Sequence, residues 1–182
     1  MSTFELFKKK HGEPKKCEKV SEKQIKTFKG KLPDILLEEW KETGWCSYGD
    51  GLLWTVNPED YDDILEDWLD KPTGCYAFLR TAFGSVFFWN GSDNYFLDVV
   101  EKDISRVFDR VDSVFNGTLC DNNYLKSVIL RPFFKKVLAK FGPLEKDECY
   151  GIFPPLDAGG ELVLESIKKV KIKEYLAVLT QL

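Results

Sequence analysis

Apolar residues recur at helical spacing in several stretches of the chain and crowd into short strand-like runs in others. Val20, Ile25 and Phe28 flank or follow Ser21, an N-cap residue, and predict a short amphipathic helix with lysines outward that Gly30 closes. Leu32-Pro33-Asp34 puts proline and an acid in a first turn and Gly44 lies just past the end, so a second helix is expected over 33–43. Its inner side carries Leu36, Leu37 and Trp40, with Glu38, Glu39, Lys41 and Glu42 toward water. Runs at 45–48 and 52–55 around Gly49-Asp50-Gly51 predict a hairpin. Asn57-Pro58 is another cap with proline at the first helical position, and Tyr61, Ile64, Leu65, Trp68 and Leu69 then form one helical stripe.

After Pro72-Thr73-Gly74 the pattern becomes that of strands over 76–81, 85–89 and 95–99, joined by Phe83-Gly84 and by Asn90-Gly91-Ser92-Asp93. Val86 to Trp89 is a continuous apolar run, which suits a strand buried on both faces. Residues 101–118 are charged and weakly patterned, and a boundary between two lobes is expected there, at 108/109. Asp121 or Asn122 caps a helix bearing Leu125, Val128 and Ile129; Pro132 interrupts it before Phe134, Val137 and Leu138, giving one kinked helix or two short ones. Pro154, Pro155 and Gly159-Gly160 mark 144–160 as a structured loop, 162–172 is extended, and 173–182 is a terminal helix with Tyr175, Leu176 and Leu179 inward. The expected class is α+β: an antiparallel sheet flanked by helices, with a smaller, mostly helical C-terminal lobe packed against it.

Composition narrows this picture. A length of 182 residues suits one domain or two small packed lobes, and 43% hydrophobic residues supply a real core. The net charge of −4 argues against attraction of the whole surface to nucleic acid, and ten lysines against four glutamates within 1–31 read first as a solvated face. No run of about eighteen apolar residues occurs, and no apolar stretch with a cleavage site follows 1–10, so the expected location is the cytoplasm, away from membranes. Asn90-Gly91-Ser92 and Asn116-Gly117-Thr118 are accordingly read as turns rather than glycosylation sites. Cys17, Cys46, Cys75, Cys120 and Cys149 are odd in number and lack CxxC spacing, which predicts reduced, mostly buried thiols and neither a disulfide framework nor a zinc site.

The catalytic inventory is thin. His11 is the sole histidine, and no nucleophile elbow, phosphate-binding glycine loop, HExxH or GxGxxG occurs. Asp62-Asp63 and the group Glu145, Asp147, Glu148 lack the convergent ligands a metal needs. The expectation is binding without catalysis, metal or cofactor. The strongest charge feature is the outer face of the 58–70 helix, where Glu59, Asp60, Asp62, Asp63, Glu66, Asp67 and Asp70 stand with no base before Lys71. Solubility explains such a face; so does a partner-binding surface that presents a row of negative charge to a basic protein.

The order of certain motifs resembles a bacterial family in which a GAD-like domain precedes the C-terminal domain of type VI secretion immunity proteins. In the first part these are Leu32-Pro33, Trp40, Gly44, Gly51, Trp54, Asn57-Pro58, Tyr61, Phe83-Gly84 and Trp89. In the second they are Phe141-Gly142-Pro143-Leu144, Asp147-Glu148, Tyr150-Gly151, Pro154-Pro155-Leu156, Gly159-Gly160, Val170 and Glu174-Tyr175-Leu176. The chain departs from the family pattern at Ser85, where relatives carry an acid, and at Tyr175-Leu176, where they carry His-Leu. The resemblance implies a GAD-like domain over 1–108, an immunity-type domain over 109–182, and a cognate toxin as partner, in several relatives a DNase, so that a basic nuclease domain is expected and no direct nucleic-acid ligand. Two other readings stay open: a nucleic-acid or tRNA-associated accessory module, suggested by the lysine-rich start, and an enzyme that modifies its toxin.

Overall fold

A computed structural model describes residues 3–70 and 73–182; Pro72 of the expected turn lies outside the described residues. In chain order the elements are α1 (Glu5–His11), β1 (Lys15–Glu18), α2 (Glu22–Phe28), α3 (Asp34–Glu42), β2 (Trp45–Tyr48), β3 (Leu53–Thr55), a 3-10 turn (Pro58–Tyr61) running into α4 (Asp62–Trp68), and β4 (Tyr76–Thr81). There follow β5 (Val86–Trp89), β6 (Asn94–Asp98), β7 (Asp103–Phe108), α5 (Val111–Asn116), α6 (Asn122–Ser127), α7 (Arg131–Phe141), β8 (Glu148–Ile152), β9 (Ile167–Lys171) and α8 (Ile172–Leu179). Strands β1 to β7 form one sheet in sequence order, each neighbouring pair antiparallel, and β8 and β9 form a separate hairpin among the C-terminal helices. This is the α+β class that the hydrophobic pattern predicts.

Local chemistry explains the element starts. Gln24 N donates to Ser21 Oγ while Ser21 N donates to Gln24 Oε1, a reciprocal capping box at α2. Asn57 Oδ1 accepts from Glu59 N at the 58–61 turn, and Asp121 Oδ1 accepts from Tyr124 N at α6. Leu130, with φ of 61°, separates α6 from α7 and resolves that region into two short helices, with Pro132 in the first turn of the second. In the sheet centre Val86, Phe87 and Phe88 are buried on both sides, as their unbroken apolar run predicts.

Several elements differ from expectation. Strands β1 and β7 are edge strands whose residues are almost all exposed, so neither carries the alternation that announces a half-buried strand. Helices α1 and α5 also escape the pattern, each being a turn or two whose apolar residues pack on each other and on the sheet. Strand β8 runs through the stretch read as a loop, where prolines and glycines dominate the local signal. Glu39, expected to face water, is 3% exposed and pairs with Lys8 at 2.5 Å, because α1 covers that side of α3.

Cys17 and Cys46 form a disulfide, which corrects the expectation of reduced thiols throughout. The pairing follows from β1 lying against β2 in the register Lys15 to Ser47 and Glu18 to Trp45, a neighbourhood invisible without β1. Of the remaining cysteines only Cys149 is buried; Cys75 and Cys120 are half-buried.

One continuous buried cluster runs through both parts of the chain. Phe4 and Phe115 stack with centroids 4.0 Å apart, Phe7 meets Phe115 edge-on at 5.0 Å, and Phe78 of β4 lies 5.9 Å from Phe115. Phe7 N donates to Asn116 Oδ1, which places the second sequon in a core contact between α1 and α5. On the other side of the molecule Tyr150 N of β8 donates to the Ala82 carbonyl at the β4–β5 turn. At the two departures from the family pattern both side chains are engaged: Ser85 Oγ bridges Asp98 Oδ1 and Val99 N, and Tyr175 Oη accepts from the buried Ile152 N. No helix among the described residues is long and apolar enough to cross a membrane.

Candidate functional site

The expected acidic surface forms. Burial of Tyr61, Ile64 and Leu65 anchors the 58–68 segment, with Trp68 and Leu69 half-buried beside them. That leaves Glu59, Asp62, Asp63, Glu66, Asp67 and Asp70 exposed, whereas Asp60 is half-buried and turns toward a neighbouring cleft. Partial burial, then Glu59, Glu66 and Asp63, push the Asp62 carboxyl above its usual range, so the acids are close enough to repel one another. The sequence shows no base inside this segment, but the fold brings one alongside: Lys173 Nζ of α8 stands 3.6 Å from Asp63 Oδ2.

Four lysines of the lysine-rich start are engaged within the fold, while Lys26 and Lys29 of that stretch line a shallow groove with Lys41. Lys8 is committed to Glu39 in the core, Lys10 donates to Asn122, Lys15 to Asp50, and Lys16 to Glu145 and the Leu144 carbonyl. These contacts knit the first eighteen residues to both parts of the chain. Among the described residues no cluster of three or more His, Cys, Asp or Glu side chains is arranged to hold a metal ion.

A second feature has no counterpart in the sequence reading. Where the sheet meets the β8–β9 hairpin and α8, a cleft of about 270 Å³ opens between Trp45, Trp54, Val56 and Tyr61 on one side and the segments 146–147 and 171–174 on the other. Arg80 of β4 lies at its floor, fully buried. Its guanidinium donates from Nη1 to the Thr81 carbonyl at 3.3 Å and from Nη2 to the Lys146 carbonyl at 2.9 Å, and rests 4.6 Å from the centre of a Trp54 ring. Tyr61 hydrogen-bonds the same group, and its own hydroxyl is pushed up to about 12, chiefly by burial. Burial also lowers the Arg80 guanidinium from its ordinary range. The sequence pattern places 76–81 in a strand but gives no reason to single Arg80 out; its position at the seam depends on the Lys146 carbonyl, 66 residues away.

Residues 2–101 match the GAD-like domain family, and residues 111–182 match the family described as T6SS immunity protein Tdi1, C-terminal. The fold is similar to the crystal structure of Atu4351 from Agrobacterium tumefaciens, with a TM-score of 0.84 and 20% identity over 98% of this chain and 88% of that one. At that identity the likeness speaks for the fold. No curated protein sequence matches the chain.

Proposed function

The chain belongs to the family of type VI secretion immunity proteins in which a GAD-like domain precedes a Tdi1-type C-terminal domain, and from that premise we propose that it binds and neutralises a cognate secreted antibacterial toxin by occluding a functional surface. The observation that carries this reading is the match of 111–182 to an immunity domain, following the GAD-like match over 2–101. The toxin is a basic nuclease domain in this reading, the binding takes place in the cytoplasm, and the immunity protein performs no chemistry on it. The support for a basic partner is the exposed acid row from Glu59 to Asp70, whose charges repel one another when unpartnered and are relieved by a cationic surface. We draw the junction between the two domains at 108/109, supported by the end of β7 at Phe108 and the start of α5 at Val111.

Co-expression with the toxin gene encoded beside it is the direct test. Growth restored by this chain, together with a one-to-one complex that survives gel filtration, is the expected result. Toxicity undiminished and no complex would overturn the proposal. Toxin recovered after separation with a changed mass would instead assign an enzymatic mode, and toxin of unchanged mass and restored activity supports occlusion.

A further inference from the structure

The cleft at the seam is built from donors that lack acceptors. Arg80 is a fully buried cation whose direct contacts, backbone carbonyls, the Tyr61 hydroxyl and the Trp54 ring, are all neutral; among the described residues no carboxylate lies within ion-pair distance of it, and Asp147 on the cleft rim acts on it only from farther off. Its Nε has no hydrogen-bond partner, and neither has the buried indole nitrogen of Trp45, which lines the same cleft. A buried donor without an acceptor, and a buried charge with no counter-charge in direct contact, are each costly enough that native structures rarely keep them without cause. Both orphans here are donors, and the shared remedy is an anion.

The rim has the same polarity. Lys16, Lys146, Lys171 and Lys173 join Arg80 around the cleft, against Asp60, Asp147 and Glu174. Among the lining residues five cations thus face three carboxylates, with Glu18, Glu145 and Asp63 pairing three of the lysines from outside the cleft. The rim lysines are held in place by carboxylates that are themselves well exposed: Lys171 by Asp147 at 2.7 Å, Lys16 by Glu145 at 3.0 Å, and Lys146 by Glu18. Such exposed pairs are weak and exchange readily for a stronger anionic partner. The walls are planar and apolar, Trp45, Trp54 and Tyr61, and the volume of about 270 Å³ is at the small end of ligand pockets.

We propose that this cleft binds a small organic anion, one carboxylate or phosphate group on a planar apolar body, with the anionic group toward Arg80 and the lysine rim and the body against Trp45, Trp54 and Tyr61. Arg80 already ties β4 to the carbonyl of Lys146, so a bound anion closes the same seam from the solvent side and stabilises the packing of the two parts. The site adjoins the acid row, sharing Asp60 and the Lys173 that stands 3.6 Å from Asp63, but its chemistry does not depend on the identity of the toxin.

Phenyl phosphate and 4-hydroxybenzoate, with phenol as the uncharged control, test this on the intact chain by calorimetry, tryptophan fluorescence and thermal shift. The expected result is saturable binding of at least one anion with a dissociation constant below about 1 mM, a rise in melting temperature with ligand concentration, and no binding of phenol. The arm that binds tells phosphate from carboxylate. K171Q/K173Q, on exposed side chains, should weaken that anion about tenfold while leaving the unliganded melting temperature in place. R80Q should abolish binding; if R80Q does not fold, the rim variant decides alone. No saturable binding by either anion, equal binding of phenol, or an unchanged affinity in K171Q/K173Q would each overturn the proposal.

Discussion

His11 Nε2 lies 2.6 Å from the carbonyl oxygen of Leu119, joining α1 to the turn that precedes α6 across 108 positions of sequence. The geometry requires Nε2 to carry the proton, and Nδ1 is buried without a partner. Burial, the largest cause, lowers the imidazole to about 4, with Arg131 and Lys10 acting in the same direction. The folded state therefore holds His11 neutral where the unfolded chain would protonate it. Its contribution to stability is complete above pH 6.5 and is lost as pH falls from 6.5 toward 4, on the order of 3 kcal/mol in all. Urea denaturation across pH 4 to 7 should show this slope, and H11Q, which keeps a donor near Leu119 but does not titrate, should flatten it. An equal slope in H11Q would assign the acid sensitivity to other groups.

Reversing Asp62, Asp63, Glu66 and Asp67 to lysine should reduce affinity for the cognate toxin by about 10- to 100-fold at low salt, mostly through the association rate. All four side chains are exposed, so the melting temperature should barely move. An unchanged dissociation constant measured by biolayer interferometry would return this face to a role in solubility.

The contrast between that face and the cleft shows what was legible in the chain. The acid row is local: its caps, its stripe and its charges all lie within fifteen residues, and helical geometry places them. Helices α2 and α3 and the central strands were readable for the same reason, since Ser21, Pro33 and the Val86 to Trp89 run declare themselves to their neighbours. Arg80 gave no such signal, because what makes it unusual is the arrival of the Lys146 carbonyl above it. The Cys17–Cys46 pair was hidden likewise: β1 is recognised only by the strand it pairs with.

Reduction of that disulfide should be felt in stability. It closes a loop across a sequence separation of 29, for which chain entropy predicts about 3 to 4 kcal/mol. Non-reducing peptide mapping should recover the linked peptides, and C17S/C46S should melt well below the parent protein under oxidising conditions and alongside it in excess dithiothreitol. Identical melting of the two under both conditions would show that the link contributes nothing.

Gly44 ends α3 at φ 85°, and a Cβ there would stand 2.3 Å from the Glu18 carbonyl oxygen. G44A combines backbone strain with a collision against β1, neither of which a flexible side chain can relieve, and should cost more than about 2 kcal/mol. Gly12, with the same φ but open space around it, is the matched control: G12A carries the strain alone and should cost less. Equal losses would place the whole effect in the backbone conformation.

Phe115 receives Phe4, Phe7 and Phe78 in one aromatic cluster, and Phe7 N is satisfied by Asn116, 109 residues downstream. The order of synthesis gives that contact a further meaning. While the chain emerges from the ribosome, the whole sheet is complete before α5 exists, and Phe4 and Phe7 lack the Phe115 ring that covers them, although Tyr48 already meets Phe7 edge-on. Contacts of such long sequence separation form late because loop closure must precede their reward. The nascent N-terminal part thus waits with an adhesive aromatic face until α5 is made, and a product truncated before α5 keeps that face for good, a substrate for chaperones and proteases rather than a free-standing half.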